Sequence, residues 1–191
     1  RAIAAGVSDA EVAELITRLD DAVATVEGSG FRATPCGRNA VLSDRLHQWV
    51  RGLMLLADPR DIPDMLVIDL QEQFMVPQAA MRLWEVAPDF ESEPVARGVS
   101  PELRRFASSL VTPCCGAHTS FEAVQWLQQP TAVASLALLP LRRSMTSPAF
   151  GMLVLASPDP MRYTPEMGTD FLVRIAELAS AAVTRLLPDG G

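Results

Sequence analysis

Cys114, Cys115 and His118 are the residues whose types and spacing look most reactive. A thiolate must have a cation or base nearby to be populated at neutral pH, and His118 follows the cysteine pair closely. Either thiol could attack a small oxidised substrate and be resolved by the other or by Cys36. The competing reading, which we favour, is small residues in a turn at a sheet edge, because intracellular cysteine is more often a buried small hydrophobe than a nucleophile. Cys-Cys-x-x-His lacks the paired spacing and second ligand pair of structural zinc, so no metal site is expected.

A second set is basic and aromatic. Arg142 and Arg143 close a turn, and Arg162 with Tyr163 follows Pro158-Asp159-Pro160. Guanidinium groups in such loops can fork around an anion, and Trp126 can wall a planar ligand. Trp126, Arg142, Arg162 and Tyr163 are therefore the candidate ligand-binding residues. The alternative is solvated arginines, or pairs to Asp159 and Glu166. His47, one step off the apolar seam of its helix, reads as a surface or interface residue. No cofactor is named by any of these groups.

What is missing narrows the field further. All 16 basic residues are Arg, which excludes a phosphate-loop lysine and a Schiff-base lysine. Gly-x-Gly-x-x-Gly, His-Glu-x-x-His, Gly-x-Ser-x-Gly and Cys-x-x-Cys do not occur. The reading leans away from an enzyme. A net charge of −7 repels phosphate backbones and anionic membranes, so neither nucleic acid nor membrane is an expected partner. No apolar run reaches transmembrane length, and three cysteines, an odd number, suggest a reducing, cytoplasmic setting.

These residues need elements to hold them. Thr131 to Leu141 and Gly151 to Ser157 read as two buried antiparallel strands joined by the Arg142-Arg143 turn. Pro158-Asp159-Pro160 turns the chain out of the sheet, and Thr164-Pro165 predicts the start of an amphipathic helix to Leu187. Ala80 to Trp84 predicts an earlier strand, and residues 87–99 a loop with at most a brief edge strand. Ser100-Pro101-Glu102 starts a helix, and Thr119 to Glu122 is a capping box.

Towards the N-terminus, Ser8 to Glu11 is another capping box, followed by a short heptad seam of Val12, Ile16, Leu19 and Val23. Gly28 to Gly37 reads as a hinge loop. A helix from about Asn39 carries Leu42, Leu46, Trp49 and Leu53 at four-three spacing. Both seams are expected at a homodimer interface; for the first, a helix packed on its own domain is the equal alternative.

The segment Gly151 to Leu172, with Val133 to Leu141 before it and Cys115-Gly116 earlier, resembles the bacterial family catalogued as domain of unknown function 484. The likeness spans roughly residues 40–187, and its specific signature is Ser157 to Leu172. It implies an α+β, GAF-like domain: an antiparallel sheet of about five or six strands flanked by helices, with an N-terminal helical extension. The expected division is an N-terminal helix and hinge over residues 1–37 and a GAF-like domain over 38–191. The family has no established activity. The resemblance implies a cytoplasmic regulatory domain that binds a small molecule and dimerises to signal to a protein partner not identified by the sequence. A pure interaction scaffold and a cysteine-dependent reductase of a small sulfoxide are the alternatives.

Overall fold

The structure is a computed structural model that describes residues 36–117, 121–165 and 169–188. The seam of Val12, Ile16, Leu19 and Val23 lies outside the described residues, as do His118, Glu166 and the side chain of Leu42. Residues 47–191 form one compact unit. Of the other unit, Arg1–Leu46, the described part is the first half of a helix, α1 (Cys36–Met54), which begins where the hinge loop was expected to end.

After α1 come α2 (Ile62–Gln73), β1 (Gln78–Leu83), α3 (Pro101–Ser109), β2 (Cys114–Gly116), β3 (Ser135–Arg142), β4 (Ala149–Ser157) and α4 (Asp170–Val183). The strands form an antiparallel sheet in the order β1-β4-β3-β2. Among the described residues the sheet has four strands, where five or six were expected. Residues 87–99, where a brief edge strand was allowed, make 3-10 turns at Pro88–Phe90 and Pro94–Ala96. Each begins on a proline, which has no N–H to give a ladder.

The expected hairpin is present as β3 and β4, the two central strands, and both are almost wholly buried. Burial on both faces explains their near-continuous apolar sequence. The pleat sends Leu136 and Leu138, with Met152 and Val154 of β4, into a core shared with Leu103 and Ala107 of α3. The intervening residues point to the opposite face, where α4 packs on β3 and α2 on β1. Ser100 caps α3 by accepting from the Leu103 N–H at 3.2 Å, as its sequence predicts. Glu122 accepts from the Ser100 N–H at 2.9 Å, so its carboxylate serves this distant helix start.

Gly151 marks the tightest point of the sheet. It pairs with Leu83 on one side and Leu141 on the other. A Cβ there would lie 2.5 Å from Leu83 Cδ2 and 3.0 Å from the Arg82 carbonyl oxygen. We expect Gly151→Ala to cost about 1–3 kcal/mol, because backbone is among the atoms that would have to move. Urea unfolding checks this; an unchanged midpoint would show that the leucine ends yield freely.

The C-terminal helix starts later than Thr164-Pro165 predicts. Its first residue is Asp170, with Thr169 before it. The Pro158-Asp159-Pro160 turn forms as expected: the Asp159 N–H donates to Ser157 Oγ at 3.0 Å, and the Met161 N–H donates to Asp159 Oδ1 at 2.8 Å.

The part of the α1 four-three seam that falls within residues 47–191 is occupied within that unit. Trp49 and Leu53 are 0% and 1% exposed, and Leu46 is also buried. Trp49 meets Phe74 edge to face at 5.8 Å, and Phe74 in turn meets Phe171 of α4 at 5.8 Å. Trp49 and Leu53, expected between two copies, are core residues here, and Phe74, just past the end of α2, meets Trp49 within its own chain.

Candidate functional site

The cysteines occupy the short edge strand β2, paired Cys114↔Leu138 and Cys115↔Ala137. Neighbouring strand residues project to opposite faces. Cys114, half-buried, packs against the core shared by α3 and the sheet. Cys115 is buried. A thiol pair on opposite faces cannot act on one substrate atom and then resolve it. Burial, with Cys114 beside it, also pushes the Cys115 thiol up to about 11. It is therefore protonated and a poor nucleophile at neutral pH.

A testable consequence concerns alkali. The folded thiol holds its proton more tightly than an ordinary thiol near 9.0, so its contribution to stability is complete below that pH and is lost as pH rises toward about 11. Burial raises Tyr163 as well, against the opposing pull of Arg162, which adds in the same direction. Stability should fall across that window, and less steeply in Cys115→Ala. Iodoacetamide at pH about 8 should spare Cys115 in the native protein and label it in urea; rapid native labelling would show the thiol to be open and activated.

The basic candidates are brought to separate places and have unexpected partners. Arg162 donates through Nη2 to the carbonyl of Met75 at 2.8 Å and of Phe74 at 3.4 Å, just past the end of α2. Met75 has φ 50°, a left-handed conformation that is rare for a residue with a side chain, and the guanidinium sits on its carbonyl. The Arg162 guanidinium also lies 5.7 Å from the ring of Tyr163, which is buried and whose backbone N–H donates to Ser135 Oγ. Trp126, half-buried, lies under Arg82 at 5.6 Å.

Arg142 stands at the end of β3. Its Nη2 faces the carbonyls of Ala107, Ser108 and Leu110 at 2.9, 2.8 and 2.6 Å, and its Nη1 donates to the Ser147 carbonyl at 2.6 Å. The first three are carbonyls at the C-terminus of α3, which lack helical partners and carry the negative end of the helix dipole. Arg142 and Arg162 are thus clamps on backbone carbonyls, where pairs to Asp159 and Glu166 were the expected alternative. Arg142 Nε is buried without a partner.

Beside Arg142 opens a cavity of about 380 Å³ between α4, the β3–β4 turn and residues 111–113. Pro140, Val173 and Ala176 contribute to a largely apolar wall, and Val111 and Met145 at its rim are exposed. Ser180 is on the wall too, but its hydroxyl accepts from the Arg142 N–H and donates to the Ala176 carbonyl. The remaining charged groups on the lining, Arg143 and Glu177, are exposed. Among the described residues, Arg142 is the one sequence candidate that lines this cavity. Glu177 is not among the sequence candidates; an acid on the helix face that also carries Val173 and Ala176 is the signal that could have found it. Among the described residues no three His, Cys, Asp or Glu converge as metal ligands, and no helix is long and apolar enough to cross a membrane.

The family model described as "Protein of unknown function, DUF484" matches residues 39–187. Among solved structures, the chain is similar to the GAF domain of an Acinetobacter phosphoenolpyruvate-protein phosphotransferase, with 16% identity and a TM-score of 0.50 over 74% of this chain and 92% of that one. The corresponding GAF domain from Coxiella burnetii gives 13% identity and a TM-score of 0.53, covering 75% and 93%. A GAF domain assigned to a sensor histidine kinase of Pseudomonas syringae pv. tomato gives 15% and 0.50, covering 78% and 90%. None of the curated proteins matches. At these identities the likeness establishes a GAF-like fold.

Proposed function

The chain belongs to the DUF484 family, and from that premise we propose that it is a non-catalytic, cytoplasmic regulatory domain that senses a small molecule in the cavity beside α4. The observation that carries this reading is the cavity itself: about 380 Å³, mostly apolar, formed where a helix, a hairpin turn and a loop meet. Ligand sites are typically preformed apolar concavities of this size with a few polar groups. The GAF domains it resembles sit in phosphotransferases and a sensor kinase, which fits a regulatory role.

In this proposal residues 1–37 form a helix and hinge, and residues 38–191 the GAF-like domain; a family match beginning at residue 39 supports that division. Dimerisation falls to Val12, Ile16, Leu19 and Val23, since Trp49 and Leu53 are already covered. A dimer would carry the ligand signal to a protein partner. The opposed faces of Cys114 and Cys115 weigh against the reductase alternative.

Native mass spectrometry of the protein purified without added ligand tests the reading. A dimer carrying a discrete extra mass, lost when Ala181→Phe fills the cavity, is the expected result. A dimer that stays bare even after exposure to a metabolite extract would favour the pure scaffold, and a monomer would remove the N-terminal seam as an interface.

A further inference from the structure

We propose that the cavity beside α4 takes a small zwitterion with an apolar side chain, the chemistry of a free aliphatic α-amino acid; this rests on the reading of the cavity as a ligand site. Val173, Ala176 and Ser180 line it from one face of α4, with Thr184 just past the helix end, and Glu177 interrupts that face near its centre. The β3–β4 turn brings the guanidinium of Arg143 to the same cavity. Arg143 spends one N–H on the Pro188 carbonyl at 2.9 Å and is otherwise uncommitted. Among the described residues no ion pair joins Arg143 to Glu177 or to another group.

Opposite charges thus stand on two of the three parts that form an apolar cavity, one on the turn and one on α4. Of the other polar lining groups, Arg142 is spent on carbonyls, Ser180 on Arg142 and Ala176, Thr184 on Ala181, and Ser144 on Thr146 and Ser147 of its own turn, while Thr112 brings an uncharged hydroxyl. A monoanion would gain Arg143 but lie close to Glu177, and a cation would meet the reverse. A zwitterion pairs with both while its side chain covers the apolar wall. The volume of about 380 Å³ is at the small end for ligand sites and admits a molecule of the size of leucine.

Isothermal titration calorimetry with L-leucine, isocaproate and isopentylamine tests this, since the last two keep the skeleton and each lose one charge. Leucine should bind, and each analogue should be about tenfold weaker or worse. Arg143→Ala and Glu177→Gln should each weaken leucine by a similar factor. Ala181→Phe, a change at an exposed position on the cavity wall, should abolish binding while circular dichroism stays native. Isocaproate binding as tightly as leucine, or Glu177→Gln without effect, would overturn the zwitterion while leaving a ligand site in place. Leucine binding unchanged in Ala181→Phe would overturn the location. Absence of any leucine heat would overturn the proposal, and a bound mass of another kind in native mass spectrometry would still support the broader sensing role.

Discussion

Replacing Arg142 by alanine is expected to lower the unfolding free energy by about 3 kcal/mol. The guanidinium faces carbonyls of Ala107, Ser108, Leu110 and Ser147, all within 2.9 Å. Alanine leaves these acceptors part-buried and without their donor, and removes the cation from the C-terminal end of α3. Arg142→Lys should recover less than half of the loss, because one ammonium cannot span acceptors laid out for a planar fork. Urea denaturation of the three proteins reads this directly. A loss in Arg142→Ala below about 0.5 kcal/mol would mean that water replaces the clamp, and would return Arg142 to the ligand candidates.

Trp49→Ala should cost about 3–5 kcal/mol, the range for removing a large aromatic from a core. The side chain is 0% exposed and begins a run of ring contacts through Phe74 to Phe171 of α4. Its indole Nε1 is buried with no partner. Trp49→Phe should therefore cost less than half as much, since phenylalanine keeps a ring and removes the unsatisfied N–H. Equilibrium unfolding compared with sedimentation separates the two roles of this residue. Lost association with undiminished monomer stability would make Trp49 an interface residue after all.

Much of the fold was legible in the sequence. The apolar runs of β3 and β4 and the prolines after them were enough to place the hairpin and its exit turn, because central strands are buried on both faces and proline cannot extend a ladder. Ser100-Pro101 likewise announced α3. The fate of α1 was not legible. Four-three spacing shows which face of a helix is apolar; whether the chain itself or a second copy covers that face depends on where Phe74 and Phe171 arrive. Arg142 is a similar case. Its place next to Arg143 marked a turn, but its acceptors at the end of α3 are 32 to 35 positions away in the chain. The cavity is a gap between elements, and periodicity within each element has no term for the space between them.

The shortness of β2 limits how copies of this chain can meet. Its pairing ends at Cys114↔Leu138, before β3 itself ends. Beyond that point Pro140 has no N–H to offer, and the N–H of Arg142 is given to Ser180. An incoming strand would find two donors missing on the stretch of β3 that β2 leaves bare. Continuation of the sheet into a second molecule is therefore closed off at this end, which protects against edge-to-edge aggregation.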